Sequence, residues 1–137
     1  MEKGSTIDGS KGPTQLKGAR VLIAEDEYTI AMFLADYLEL QGAQVVGPAG
    51  NLEALAALVD QQQIDAALLD INLGGELVYP LADRLAEAGV PFLLTSGYDD
   101  NIPARFADNP RCSKPYRLEA LSQALQDTLA RRPGGSR

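Results

Sequence analysis

The sequence predicts an α/β domain built on an open, doubly wound parallel sheet. Three observations predict it. The short apolar runs VLIA (21–24), AALL (66–69) and PFLL (91–94) lack the in–out alternation of half-exposed strands, as expected of strands covered on both faces. Segments with apolar residues at helical spacing lie between them, the mark of amphipathic helices. Strand followed by helix recurs along the whole domain, and that alternation closes into parallel βαβ units.

The elements follow in order. Residues 1–17 are rich in Gly, Ser, Lys and Thr without periodicity, which predicts a disordered leader. Within it GSTIDGSK (4–11) falls short of a phosphate-binding loop, because Ser10 precedes Lys11 and no strand leads into it. The compact domain is expected over 18–131. ARVLIAED (19–26) is the first strand, ending in acids. In 27–42, Ile30, Phe33, Leu34, Tyr37 and Leu38 fall on one helical face, with Gly42 as the stop. AQVVG (43–47) is a short strand closed by Pro48. Asn51 caps a helix running to about Gln62, with Leu52, Leu55, Leu58 and Val59 on one side.

DAALLD (65–70) is the third strand. Pro80 suits the first turn of a helix with Leu81 and Leu85 inward and Gly89 at its end. VPFLLTS (90–96) is the fourth strand. IPARFAD (102–108), broken by Pro103 and followed by Pro110, supports one or two helical turns at most, so the fourth helix is expected to be short or irregular. RCS (111–113) is a weak fifth strand. Leu118, Leu121, Leu125 and Leu129 mark a last helix over 117–132, with Arg131 and Arg132 complementing its dipole. Residues 132–137 form a flexible tail.

Composition excludes several chemistries. The 137 residues are 45% hydrophobic and 23% charged, which suits one soluble domain. A net charge of -7 argues against nucleic acid and anionic membranes as partners. There is no histidine and one cysteine, Cys112. That rules out a Ser–His–Asp triad, a Cys–His pair, His-ligated zinc and an internal disulfide. Cys112 reads as a small buried apolar residue. No signal-peptide pattern and no apolar run near the roughly 20 residues of a membrane helix occur, so the chain is expected to be cytoplasmic.

Open parallel sheets bind ligands outside the carboxyl ends of their strands. In the flavodoxin-like order 2-1-3-4-5 the first and third strands are neighbours, so Glu25, Asp26 and Asp70 share one edge. Two like charges 4 Å apart at an effective dielectric of 20 repel by roughly 4 kcal/mol. Such a cluster must be solvated, partly protonated or bound to a cation, and Mg²⁺ suits a few carboxylates plus retained waters. Strand four ends in the hydroxyls of Thr95 and Ser96, and strand five in Lys114. Acids, a hydroxyl and an ammonium on one rim suit a phosphoryl group in transit, with an aspartate as acceptor. Singly, each residue has a plainer reading: Glu25, Asp26 and Glu27 as a solvated helix start, Asp70 as a loop cap, Lys114 as a surface lysine, Gly74-Gly75 as a flexible turn. Their joint placement favours the site.

VLIAEDE, LLDINL, PFLLTSGY and SKPY, in this order, resemble the motifs of response-regulator receiver domains of the CheY type. PFLLTSGY and NLGGELVYP further resemble the FATGUY single-domain receivers, tied to histidine kinases of the HWE type. The resemblance implies that Asp70 accepts the phosphoryl group and that Asp26, Asp70 and the Asn72 backbone carbonyl hold Mg²⁺, with Glu25 acting through water. It implies Ser96 as the switch hydroxyl, Lys114 as the phosphate-pairing lysine and a cis Lys114–Pro115 bond. Strand alternation would turn Thr95 to the other face. The family's aromatic switch position, three before the lysine, is here Arg111. Tyr98, or reordering of the 97–103 loop, is the expected substitute signal.

The resulting expectation is a single-domain response regulator with no output domain. It receives its phosphoryl group from a histidine kinase or phosphotransfer protein and signals by altered binding to a protein target, as a monomer or weak dimer. It would not be an enzyme beyond self-phosphorylation and autodephosphorylation. Two rivals stand beside it. One is a pseudo-receiver adaptor that is never phosphorylated. The other is a metal-dependent phosphohydrolase using Asp70, disfavoured by Asn72 where a second acid would stand and by the lack of a cap domain.

Overall fold

The computed structural model describes residues 16–97 and 100–131. Five parallel strands form one sheet: β1 (Arg20–Ala24), β2 (Gln44–Ala49), β3 (Ala66–Asp70), β4 (Phe92–Ser96) and β5 (Arg111–Ser113), in the order β2-β1-β3-β4-β5. Four α-helices cover it: α1 (Tyr28–Leu40), α2 (Leu52–Gln61), α3 (Tyr79–Glu87) and α4 (Leu118–Leu129). This is the doubly wound order expected from the sequence. The fourth crossover is a single 3₁₀ turn, Ala104–Phe106, bracketed by Pro103 and Pro110.

Each strand serves two cores because its side chains alternate. Leu22, Ala67, Leu69 and Leu94 face α2 and α3. Val21, Ile23, Leu68 and Leu93 face α1 and α4. Every residue of β3 and β4 is buried, which explains their uninterrupted apolar runs. A fully buried leucine contributes about 1.5–3 kcal/mol over an exposed one, and these two layers hold the strand ends still. The Asn51 side chain caps α2, accepting the Ala54 N–H at 2.8 Å.

Four expectations need correction. The leader was expected to include Leu16, but Leu16 is fully buried in the α1/α4-side core, so the compact unit reaches back at least that far; residues 1–15 and 132–137 lie outside the described residues. Phe33 was expected inward and is 59% exposed. The stripe that meets the sheet is Ala31, Leu34, Ala35 and Leu38, whose alanines allow close approach. Strand β2 does not close at Pro48 but runs on to Ala49. It is an edge strand, where the missing N–H of proline is tolerated, and the register slips between Leu22 and Ala24 opposite Gly47–Pro48. Helix α4 stops at Leu129, short of Arg131.

After β3 the chain makes a small antiparallel hairpin, Asn72–Leu73 against Glu76–Leu77. The sequence reads Gly74-Gly75 as a flexible turn. The two glycines instead form the two-residue loop of this hairpin, with φ of +62° and +95°, the both-positive pattern of a type I′ turn.

Candidate functional site

The carboxyl edge of the sheet gathers the charged residues. Ala24 of β1 is in register with Leu69 of β3, so Glu25 and Asp70, the next residues along each chain, are neighbours. Carboxylate oxygens of Glu25, Asp26 and Asp70 all lie within 4.8 Å of one another. Glu25 and Asp70 are only 4% and 5% exposed, while Asp26 faces solvent. Each carboxylate accepts one backbone N–H: Glu25 Oε2 from Glu27 at 3.1 Å, Asp70 Oδ1 from Asn72 at 3.3 Å, Asp26 Oδ2 from Gly74 at 3.0 Å.

Lys114 reaches this cluster from the far side of the sheet. Its backbone N–H donates to the Ser96 carbonyl at 2.8 Å, which fixes it beside the end of β4. Its Nζ lies 2.8 Å from Asp70 Oδ2 and 3.6 Å from Glu25 Oε1. The Lys114–Pro115 bond is cis, as the resemblance implies.

One ammonium serves two buried carboxylates, Asp70 and Glu25, and the titration behaviour reflects it. Burial pushes the Asp70 carboxyl above its ordinary range, outweighing the hydrogen bond and charge of Lys114. Burial does the same to Glu25, against the Glu27 N–H, with Asp70 adding to the rise. Burial works against the Lys114 ammonium, yet the Asp70 hydrogen bond and the charges of Asp70 and Glu25 lift its pKa overall. Excess negative charge beside one fixed cation is the donor set of a hard divalent ion.

The remaining site residues are placed as follows. Asp70 is in register with Thr95, not Ser96, and in-register neighbours share a face of the sheet. Thr95 and Ser96 are consecutive residues of β4, so their side chains alternate between the two faces of the sheet. Both hydroxyl residues are buried, and Ser96 sits one step further along, on the rim that Lys114 binds. Arg111 is exposed on β5. Tyr98 lies outside the described residues. The aromatic packing beside β4 comes instead from α3 and the 3₁₀ turn. Tyr79 stacks on Phe106 with ring centroids 5.2 Å apart, and its hydroxyl donates to the Asn101 carbonyl at 3.0 Å. Cys112 is half-buried and burial raises its thiol pKa, the state of an unreactive cysteine.

Sequence reasoning missed two groups. The Gly74 amide reaches Asp26 across 48 positions; consecutive glycines just after the acceptor strand were the available signal. Tyr116 stands near the cluster, its phenol pushed up by burial and by the Glu25 carboxylate. It also lines, with Ile30, Phe33, Leu34, Pro115 and Leu118, an apolar groove of about 450 Å³ between α1 and the start of α4.

Comparison with known proteins agrees with this geometry. The family model for the response regulator receiver domain matches residues 21–126. The transcriptional regulatory protein PdtaR of Mycobacterium tuberculosis is 39% identical over 117 residues, covering 82% of this chain and 57% of that protein; the chain thus spans just over half the length of this relative. The solution structure of SdrG from Sphingomonas melonis Fr1 is 38% identical, with a TM-score of 0.72, covering 85% of this chain and 98% of that one. The BeF₃-activated conformation of SdrG, from Pseudomonas melonis Fr1, is 40% identical, with a TM-score of 0.67, covering 80% and 95%.

Proposed function

We infer that this chain, which belongs to the response regulator receiver family, accepts a phosphoryl group on Asp70 from the phosphohistidine of a histidine kinase or phosphotransfer protein. The observation that carries the reading is the Lys114 ammonium, 2.8 Å from Asp70 Oδ2 on a rim shared with Glu25 and Asp26. An Asp70 oxygen forms the new P–O bond as the donor's P–N bond breaks and the electron pair returns to its imidazole. Lys114, held charged by its acidic neighbours, pairs with the phosphoryl oxygens. Ser96, on the same rim, supplies the hydroxyl that follows the new charge, about -1.5 to -2 for phosphorylated residues in general.

The three clustered carboxylates fit Mg²⁺, held by Asp26, Asp70 and the Asn72 carbonyl, with Glu25 acting through water. Bound there, the ion would neutralise carboxylate and phosphoryl charge during transfer. The groove beside Lys114, lined in part by the exposed Phe33, is the surface assigned to the donor protein, of which an HWE-type kinase is one candidate. Output is altered binding to a protein target in the cytoplasm, without turnover of a small substrate. The BeF₃-activated form of SdrG supports this reading by analogy. No helix among the described residues is long and apolar enough to cross a membrane.

The test is intact-mass measurement after incubation with Mg²⁺ and acetyl phosphate, and then with a phosphorylated kinase. The unmodified protein should gain one phosphoryl group and Asp70→Asn none. Gain by the Asn variant, or none by the unmodified protein with either donor, overturns the reading. Ser96→Ala against Thr95→Val separates the two hydroxyls: loss of the phosphorylation-dependent change in target binding should follow the Ser96 substitution. The exposed Arg111 favours one second reading, a non-phosphorylated adaptor, which predicts target binding without any mass gain.

A further inference from the structure

We propose that the 72–77 hairpin is a positioning element of the cation site, with the Gly74 amide as its working atom. It rests on the reading of Glu25, Asp26 and Asp70 as a cation-dependent phosphoacceptor cluster. Among the described residues, no ammonium pairs with Asp26, unlike the other two acids. Lys114 serves Asp70 and Glu25, and among the described residues the hydrogen-bond donor to Asp26 is Gly74 N–H. Asp26 is also the exposed one, so packing does not hold its side chain. A carboxylate free to rotate into solvent is a poor ligand, because ordering it costs side-chain entropy when the ion arrives. A fixed donor on one oxygen orders it beforehand, as outer-shell partners do for metal ligands.

The donor is itself held on three sides. The Val78 N–H closes the base of the hairpin onto the Ile71 carbonyl at 2.8 Å. Leu73 and Val78 are buried in the α2/α3-side core. The Asn72 side chain accepts the Gly75 N–H at 2.7 Å, while the Asn72 N–H donates to Asp70. One hairpin therefore touches the acceptor with its first residue and the cation ligand with its tip. The glycines serve conformation and not space: a Cβ built at Gly74 or Gly75 meets nothing within 4 Å, but φ of +62° and +95° disfavours most side chains.

Replacing the Gly74 backbone nitrogen with an ester oxygen by chemical synthesis removes the donor and leaves the turn free to form. Mg²⁺ affinity, read by calorimetry, should weaken about tenfold or more, the range seen for lost outer-shell partners. The same replacement in an Asp26→Ala background, which has no acceptor, should weaken it no further, and Gly74→Asn, which keeps the N–H and tolerates positive φ, should bind Mg²⁺ with affinity close to that of the unmodified chain. In the Mg²⁺-free protein, the Gly74 amide should show slowed hydrogen exchange that is lost in Asp26→Ala, which has no acceptor; this measurement stands even if the ester variant does not fold. Unchanged affinity in a folded ester variant, equal weakening in both backgrounds, or an amide indifferent to Asp26 overturns the inference alone. Failure of the unmodified chain to bind Mg²⁺ overturns the reading of the site along with it.

Discussion

Two ion pairs of nearly equal length behave in opposite ways. Lys114 Nζ lies 2.8 Å from Asp70, and Arg105 Nε lies 2.9 Å from Asp83. The Arg105 hydrogen bond pulls the exposed Asp83 carboxyl below its ordinary range. Asp70 is buried at the strand end, and its carboxyl is pushed above that range despite an equally close cation. Distance is therefore not what separates them. Desolvation acts on the charged form of Asp70 more strongly than one ammonium can offset, and Glu25 and Asp26 share that ammonium's neighbourhood. Asp83 keeps its water and gains a partner. The surface pair favours the fold; the rim pair holds charge in reserve for a ligand.

Breaking the rim pair should have the larger effect. Lys114→Met leaves Asp70 and Glu25 buried without a cation and should lower unfolding stability at pH 7 by about 3 kcal/mol, the scale for one partner removed from a buried pair, read from urea midpoints. Asp70→Asn should do the reverse. With its ionised form disfavoured by burial, the neutral isostere should raise the urea midpoint of the Mg²⁺-free protein at pH 7, and the stabilisation that added Mg²⁺ confers on the unmodified chain should shrink. A lower midpoint for Asp70→Asn would break the comparison.

The pH dependence sharpens it further. Glu25 and Asp70 have folded-state pKa values above their unfolded ones. Between the two values the folded state binds more protons, so stability falls as pH rises through that window and stays low above it. The midpoint advantage of Asp70→Asn should therefore be full near pH 7 and close as pH falls toward about 4, the unfolded carboxyl range. Asp83 carries the opposite sign. Its contribution is present above the unfolded value and lost as pH falls through its lowered folded one. Asp83→Ala should produce the smallest change, a slight drop in midpoint at pH 7 that fades in strong acid and at high salt. A large drop would show that the exposed pair matters as much as the buried one.

The same contrast explains which parts of the molecule the sequence revealed. Asp70, Glu25, Asp26 and Lys114 were legible because strand ends in a parallel sheet share one edge, so the identity of each terminal residue is enough to place it. The broken fourth helix was legible from Pro103 and Pro110, whose rings cannot continue one. Phe33 was misread because helical spacing identifies a broad apolar face but not which part of it a sheet will cover; the alanines at 31 and 35 decided that. Leu16 was lost to the leader because one apolar residue among polar ones has no period.

By itself the sequence determined the order of strands and helices, the two-sided burial of β3 and β4, and the kinds of group at each strand end. Those follow from local apolar spacing and from the geometry common to parallel sheets. Only the tertiary structure decided that the Lys114 ammonium closes to a direct 2.8 Å hydrogen bond with Asp70, that Gly74 meets Asp26 across 48 positions, and that burial sets the rim carboxylates apart from Asp83. Those outcomes depend on strand register and turn conformation. A glycine permits a positive φ but does not demand it, and an aspartate's water is removed by whatever the rest of the chain packs around it.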